Sequence, residues 1–178
     1  RVLYASVAGT HGGVTRHEPN VATPHTPCAT NRSMSILILR GPHATHPDTS
    51  PLDPSLRSRA HAAWQALHCR AFATLRGLLA GLRRARTGHT DLLLLDVGDL
   101  TLQNASHAQA VRDALDALPT PYIELHDDAA HALEPRIHPQ HAPLVTVILR
   151  DDLPRAYSMA LDIALRRLRP AASEPFHA

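Results

Sequence analysis

Apolar residues along the chain form either short continuous runs or longer segments in which they recur every three or four positions. The short runs predict buried strands at 36–39, 69–72, 91–96, 122–126 and 144–149. The periodic segments predict helices at 56–67, from 75 to an Arg86-Thr87-Gly88 C-cap, at 105–118 and at 157–168. Alternating strands and helices predict an α/β fold with a parallel, doubly wound sheet.

The polar, aperiodic segments set the expected boundaries of this domain. Residues 1–33 are rich in Thr, His, Pro, Gly and Asn, so we expect a disordered leader or a start assigned too early. The domain then covers 34–170, and 171–178 form a flexible tail. Pro47, Pro51 and Pro54 exclude a regular helix or central strand at 41–55 and predict a long loop over one edge of the sheet.

Composition narrows the class of protein. The chain has 178 residues, of which 44% are hydrophobic and 3% aromatic, which favours one domain with an aliphatic core. The formal net charge of +2 and the lack of an isolated basic block argue against nucleic-acid binding. No apolar run reaches the roughly 18 residues of a membrane span. Together with two cysteines outside any CxxC pattern, this predicts a cytoplasmic protein without disulfides.

The motifs of common cofactor sites are missing from the sequence. The histidine pairs His43/His46 and His138/His141 lie in proline-interrupted segments, outside any HExxH or Cys/His grouping, so we expect no metal. Gly41 belongs to neither a GxGxxG nor a GxxxxGK[ST] pattern, which argues against a nucleotide. The sequence therefore predicts no cofactor.

Ionisable side chains are densest directly after the fourth predicted strand. In open parallel sheets, ligands bind outside the carboxyl ends of the strands. Because strand side chains alternate, Glu124 and His126 point to the same face, where the carboxylate orients the imidazole and raises its basicity. This arrangement suits a general acid. An ordinary ion pair at a strand end is the alternative.

Four short motifs follow one another along the chain. They are ILILRGP at 36–42, LLLDVG at 93–98, VRDAL at 111–115 and PYIELH at 121–126, followed by His131, Glu134 and Arg136. Their order and spacing resemble type II 3-dehydroquinate dehydratase over about 34–168. The resemblance implies a flavodoxin-like three-layer sandwich with a five-stranded parallel sheet. It also implies a trimer-based homododecamer that converts 3-dehydroquinate to 3-dehydroshikimate in the shikimate pathway or quinate catabolism. In that family a tyrosine removes a proton next to the ketone, and a histidine protonates the departing hydroxyl.

The resemblance assigns roles to individual residues. His126 matches the acid and Glu124 its orienting partner. Arg136 matches the arginine that grips the substrate carboxylate, and Asp113 matches an acidic residue that reaches a neighbouring subunit's site. The remaining positions expected near the substrate are Asp96, His107, Asp127 and Asp128.

Several family positions carry other residues here. Counted without gaps, the family's loop asparagine, arginine and catalytic tyrosine fall on His43, Ser50 and Ser55, and its asparagine after strand three falls on Asp96. A serine hydroxyl is far less acidic than a phenol. The first two readings are an active dehydratase that recruits another base such as His43 or His46, and an impaired paralogue that serves as a binding or regulatory subunit. A different reaction on a related small acid is the third reading.

Overall fold

The computed structural model describes residues 34–43, 53–100, 102 and 104–169. The expected leader at 1–33 and tail at 171–178 lie outside these residues, as do His46 and Ser50. The domain boundaries therefore stay a prediction.

Five parallel strands form a single sheet in the order β2-β1-β3-β4-β5. This confirms the predicted α/β class and the five-stranded parallel sheet, and the strand order is that of the flavodoxin-like fold. The strands are β1 (Met34–Arg40), β2 (Gln65–Ala71), β3 (Leu92–Asp96), β4 (Tyr122–His126) and β5 (Thr146–Ile148).

Helices connect the strands, and polar side chains begin most of them. They are α1 (Pro54–Ala62), α2 (Leu75–Thr87), α3 (Ala105–Asp116), α4 (Glu134–Ile137) and α5 (Leu153–Arg167). Asp53, Thr74, Asn104 and Asp152 each accept a hydrogen bond from a backbone N–H in the first turn of the helix that follows. These caps satisfy N–H groups that have no partner inside the helix.

Strand side chains divide the core between the two faces of the sheet. Ile36, Leu94 and Leu125 belong to a cluster that includes the apolar stripe of α5. Leu39, Leu95 and Tyr122 belong to the other cluster, which includes residues of α2 and α3. The alternation means that consecutive residues at a strand end serve different faces, which decides where the polar side chains of the site lie.

The first predicted helix and second predicted strand were placed incorrectly. The helix ends at Ala62 instead of residue 67, and the strand begins at Gln65 instead of residue 69. Trp64 takes a left-handed φ of 57° and is 76% exposed, so it ends the helix instead of packing on its apolar face. Leu67 and Cys69 both pack on the core two residues apart, which is the spacing of a strand.

The end of the domain also differs from the prediction. The fifth strand is three residues long, within the six predicted. Helix α5 begins at Leu153, four residues before the predicted start, because Asp152 caps it and Pro154 lies in its first turn. The 3-10 turn Ala129–His131 and the short helix α4 follow β4, where no regular structure was predicted.

The turns after β1 and β3 meet backbone to backbone. Gly41 N–H donates to the Asp96 carbonyl at 2.6 Å, and Asp99 N–H donates to the Pro42 carbonyl at 2.8 Å. A Cβ on Gly41 would lie 2.0 Å from the Val97 carbonyl oxygen, and one on Gly98 would lie 2.1 Å from that of Pro42. Glycine is required at both positions, and this close approach lies where the order of strands reverses, the usual ligand position of the fold.

Candidate active site

Glu124 and His126 form a buried pair at the carboxyl end of β4. His126 Nε2 lies 2.5 Å from Glu124 Oε1, and the two side chains are 1% and 0% exposed. The backbone N–H of Leu133 donates to the same carboxylate oxygen at 2.5 Å. Because the carboxylate holds the imidazole through Nε2–H, Nδ1 is the nitrogen through which the ring exchanges a proton. The predicted pair is thus present in hydrogen-bonded form.

One oxygen of this carboxylate is left without a donor. Glu124 Oε2 is buried and has no hydrogen-bond partner among the described residues. Buried carboxylate oxygens are costly unless a donor reaches them. A ligand hydroxyl is one donor that would satisfy this atom.

Asp96 lies at the end of the neighbouring strand but serves the opposite face. Its side chain is fully buried and accepts from His43 Nε2–H, at 2.9 Å to Oδ1 and 2.8 Å to Oδ2. Gly98 N–H donates to Oδ1 at 3.0 Å, and the Tyr157 hydroxyl donates to Oδ2. Arg40 Nε lies 4.0 Å from Oδ2. Both oxygens of Asp96 are therefore already bonded within the protein.

The environment of Asp96 changes the pKa of its neighbours. Burial lowers the pKa of His43, but the hydrogen bond and the charge of Asp96 outweigh it, so the pKa is raised above the usual 6.5. Burial, with the charge of Asp96, raises the pKa of Tyr157 well above 10. Tyr157 is thus a neutral donor, and its phenol is unsuited to act as a base.

A third histidine, His131, lies partly exposed at the carboxyl edge of the sheet. His131 Nδ1 is 3.8 Å from Asp127 Oδ1 and 3.9 Å from Asp99 Oδ1. The other Asp127 oxygen, Oδ2, lies 3.7 Å from His43 Nδ1. Asp127 thus lies between two imidazoles, directly after His126 in the chain.

Solved structures share the fold of this chain. A 3-dehydroquinate dehydratase-like protein from Bifidobacterium longum matches with a TM-score of 0.58 and 15% identity, covering 77% of this chain and 99% of its own. The type II dehydroquinase of Propionibacterium acnes matches with a TM-score of 0.54 and 20% identity, covering 75% and 99%. At these identities the likeness concerns the fold.

Curated relatives decide the family. A 3-dehydroquinate dehydratase of Methylococcus capsulatus is 27% identical over 136 residues, which are 75% of this chain and 89% of that protein. A catabolic 3-dehydroquinase of Emericella nidulans is 31% identical over 107 residues, which are 60% of this chain and 67% of that protein. The chain belongs to the type II 3-dehydroquinate dehydratase family. No family model matches the sequence, in keeping with a divergent member.

The residues that the family resemblance assigned to substrate lie on α3, on α4 and in the turn after β4. Arg136 is exposed on α4, and Asp113 is exposed on α3, where Gln109 Nε2 donates to it at 2.6 Å. His107 lies at the start of α3 and lines a cleft of about 310 Å³ with Arg76. Asp128 is exposed and accepts from Ala130 N–H, so it caps the 3-10 turn. Their roles toward substrate stay predictions.

Ser55 stands at the position of the family's catalytic tyrosine, and His43 and Ser50 stand at those of its loop asparagine and arginine. Ser55 is exposed in the first turn of α1, where its backbone N–H donates to Asp53 at 2.9 Å. His43 is fully buried on Asp96, and Ser50 lies outside the described residues. The pair that the resemblance matches to the family's acid is therefore hydrogen-bonded as expected, and no phenol stands at the described position of its base.

Sequence reasoning missed Tyr157 and Asp99 as members of this site. Tyr157 looked like a core position because Leu153, Tyr157 and Leu161 recur every four residues. Its position one turn into α5 was the signal that could have placed it at the site, because the helix that follows β5 starts at the carboxyl edge of the sheet. Asp99 was passed over as a turn residue after β3.

No described helix is both long and apolar enough to cross a bilayer. In the same part of the chain, no group of three or more His, Cys, Asp or Glu side chains is arranged to hold a metal ion.

Proposed function

We propose that this chain binds 3-dehydroquinate at the carboxyl edge of its sheet and dehydrates it to 3-dehydroshikimate, with His126 as the general acid. The hydrogen-bonded Glu124–His126 pair carries the proposal, because the family resemblance matches it to the acid and its orienting partner, and curated relatives are named 3-dehydroquinate dehydratase and catabolic 3-dehydroquinase. General acids of this kind typically accelerate a step about 10²–10⁴-fold.

The surroundings of the pair suit proton donation to a departing hydroxyl. Glu124 accepts from Nε2–H, so the proton that His126 gives to the departing hydroxyl comes from Nδ1. Because the pair is buried, water does not weaken this interaction.

The rest of the family's arrangement follows as part of the same proposal. Arg136 grips the substrate carboxylate, Asp113 reaches the site of a neighbouring subunit, and the protein is a cytoplasmic, trimer-based homo-oligomer. The exposure of both side chains leaves them available for these contacts. Fixed guanidinium forks suit carboxylates, which favours arginine for this role.

Turnover of 3-dehydroquinate by the purified full chain, followed by the absorbance of 3-dehydroshikimate, tests the proposal. We expect catalysis that His126→Asn lowers at least about 100-fold with little change in KM. The matched control is His68→Asn, an exposed histidine on β2, which should retain wild-type activity. Equal activity of His126→Asn and the wild type would refute the role of His126.

Calorimetry of substrate binding tests separately whether Arg136 binds the substrate carboxylate. Arg136→Ala should weaken binding, whereas Arg166→Ala, an exposed arginine in the last turn of α5, should not. Equal affinities of the two variants would remove Arg136 from the site. Binding by the wild type without any turnover would refute the dehydratase and leave a binding subunit.

A further inference from the structure

Carboxylates and imidazoles alternate along the carboxyl edge of the sheet. In spatial order they are Asp96, His43, Asp127, His131 and Asp99. His43 Nε2 contacts Asp96, and His43 Nδ1 faces Asp127. Asp127 in turn faces His131, whose Nδ1 also faces Asp99. The series runs from the fully buried Asp96 to the partly exposed His131 and Asp99.

His43 occupies the inner position of this series and is unsuited to remove a proton from a substrate. Its side chain is 0% exposed, and both ring nitrogens point toward carboxylates. Its Nδ1 is buried and has no hydrogen-bond partner in the described part of the chain. His43 therefore fixes Asp96 and faces Asp127, and a base must be sought further out.

His131 is the outer of the two histidines in this series. Nearby carboxylates face its ring, as a general base requires. Its Nδ1 is buried between Asp127 and Asp99, yet the side chain is 30% exposed. The exposed part of the side chain therefore excludes Nδ1, which has no hydrogen-bond partner among the described residues. Two carboxylates facing Nδ1 favour the tautomer with the proton on that atom, which leaves the lone pair on Nε2.

We propose that His131 is the general base that takes the place of the family's missing phenol. Nε2 removes a proton from the carbon next to the ketone, and the electrons of that C–H bond form the enolate. The enolate then expels the hydroxyl group, which leaves as water with the proton of His126, and the ketone re-forms beside a new C=C bond. The proton on His131 passes to solvent, and His126 takes one up.

This inference rests on the proposed dehydration but concerns a separable step. Removing and returning the proton next to the ketone exchanges it for deuterium in D₂O, and this exchange needs the base but no acid. The His126→Asn variant, which loses dehydration, should therefore still exchange that proton, as seen by NMR of 3-dehydroquinate.

The decisive comparison is between His126→Asn and His126→Asn/His131→Asn, each shown by calorimetry to bind the substrate. We expect the second substitution to slow exchange at least about 100-fold. His131→Gln, which keeps more of the side chain's volume, is the second variant should His131→Asn unfold. Equal exchange by the single and double variants would overturn the inference, even where the wild type dehydrates its substrate.

Other outcomes separate the two proposals. A wild type that fails to dehydrate while His131-dependent exchange persists refutes the dehydratase and supports the base. A wild type that binds substrate and shows neither reaction refutes both. Asp127 acts as a positioning residue, so Asp127→Asn should lower kcat about 10-fold with KM unchanged. A rise in KM alone would contradict that role.

Discussion

Replacing Tyr157 with phenylalanine removes a single hydroxyl from the buried polar cluster around Asp96. That hydroxyl donates to Asp96 Oδ2, and a hydrogen bond to a charged group typically stabilises a protein by about 1.5–3 kcal/mol. His43 and the Gly98 N–H still hold the carboxylate in the variant, so we expect a loss near the lower end, about 1.5–2 kcal/mol. Urea denaturation followed by circular dichroism measures it.

Tyr122→Phe is the matched control. Tyr122 is as deeply buried, and its hydroxyl donates to the neutral carbonyl of His141 at 3.0 Å, a kind of bond that contributes about 0.5–1.5 kcal/mol. In an Asp96→Asn background, the effect of Tyr157→Phe should shrink because the charge is gone. The reasoning is refuted if Tyr157→Phe costs no more than Tyr122→Phe, or if the Asp96→Asn background leaves its cost unchanged.

Three further predictions follow from the same edge of the sheet. Glu124→Gln should lower kcat at least about 10-fold in steady-state assays, because a neutral amide stabilises the imidazolium poorly; an unchanged kcat would exclude this role. Gly98→Ala should cost more than about 2 kcal/mol in chemical denaturation, because φ is 55° and the new Cβ meets a backbone carbonyl, whereas Gly88→Ala, with 3.4 Å of space, should be nearly neutral. The folded-state pKa of His43 is raised, so protonated His43 stabilises the fold fully below pH 6.5, and this stabilisation is lost as pH rises through the folded-state pKa. His43→Gln should therefore flatten the fall of the free energy of unfolding with pH. An unchanged slope would contradict the raised pKa of His43.

Most of the fold could be predicted because strongly apolar segments leave few alternatives. The run at 92–95 is too short for a helix and too uniform for a half-exposed strand, and it is the wholly buried β3. The prediction failed between 56 and 72, where Trp64 and Leu67 matched a helical spacing by coincidence. The left-handed backbone at Trp64 depends on tertiary context that a hydrophobic pattern does not carry.

The site could be predicted only along a single strand. Alternation put Glu124 and His126 on one face, and their hydrogen bond is present. Alternation on one strand says nothing about its neighbour, so Asp96 was grouped with this pair although its contacts lie on the α5 side. His43 and His131 both approach Asp127, although His43 is 84 positions away in the chain and His131 is 4. The turns that bring them together follow paths that the sequence pattern does not define.

The central claim is that this chain dehydrates 3-dehydroquinate with the Glu124–His126 pair as its acid. The most direct test is the rate of 3-dehydroshikimate formation by the full chain, measured at a substrate concentration at which calorimetry shows the site to be filled. The account predicts a rate far above that of the same solution without protein. A filled site with no rate above that background would contradict it.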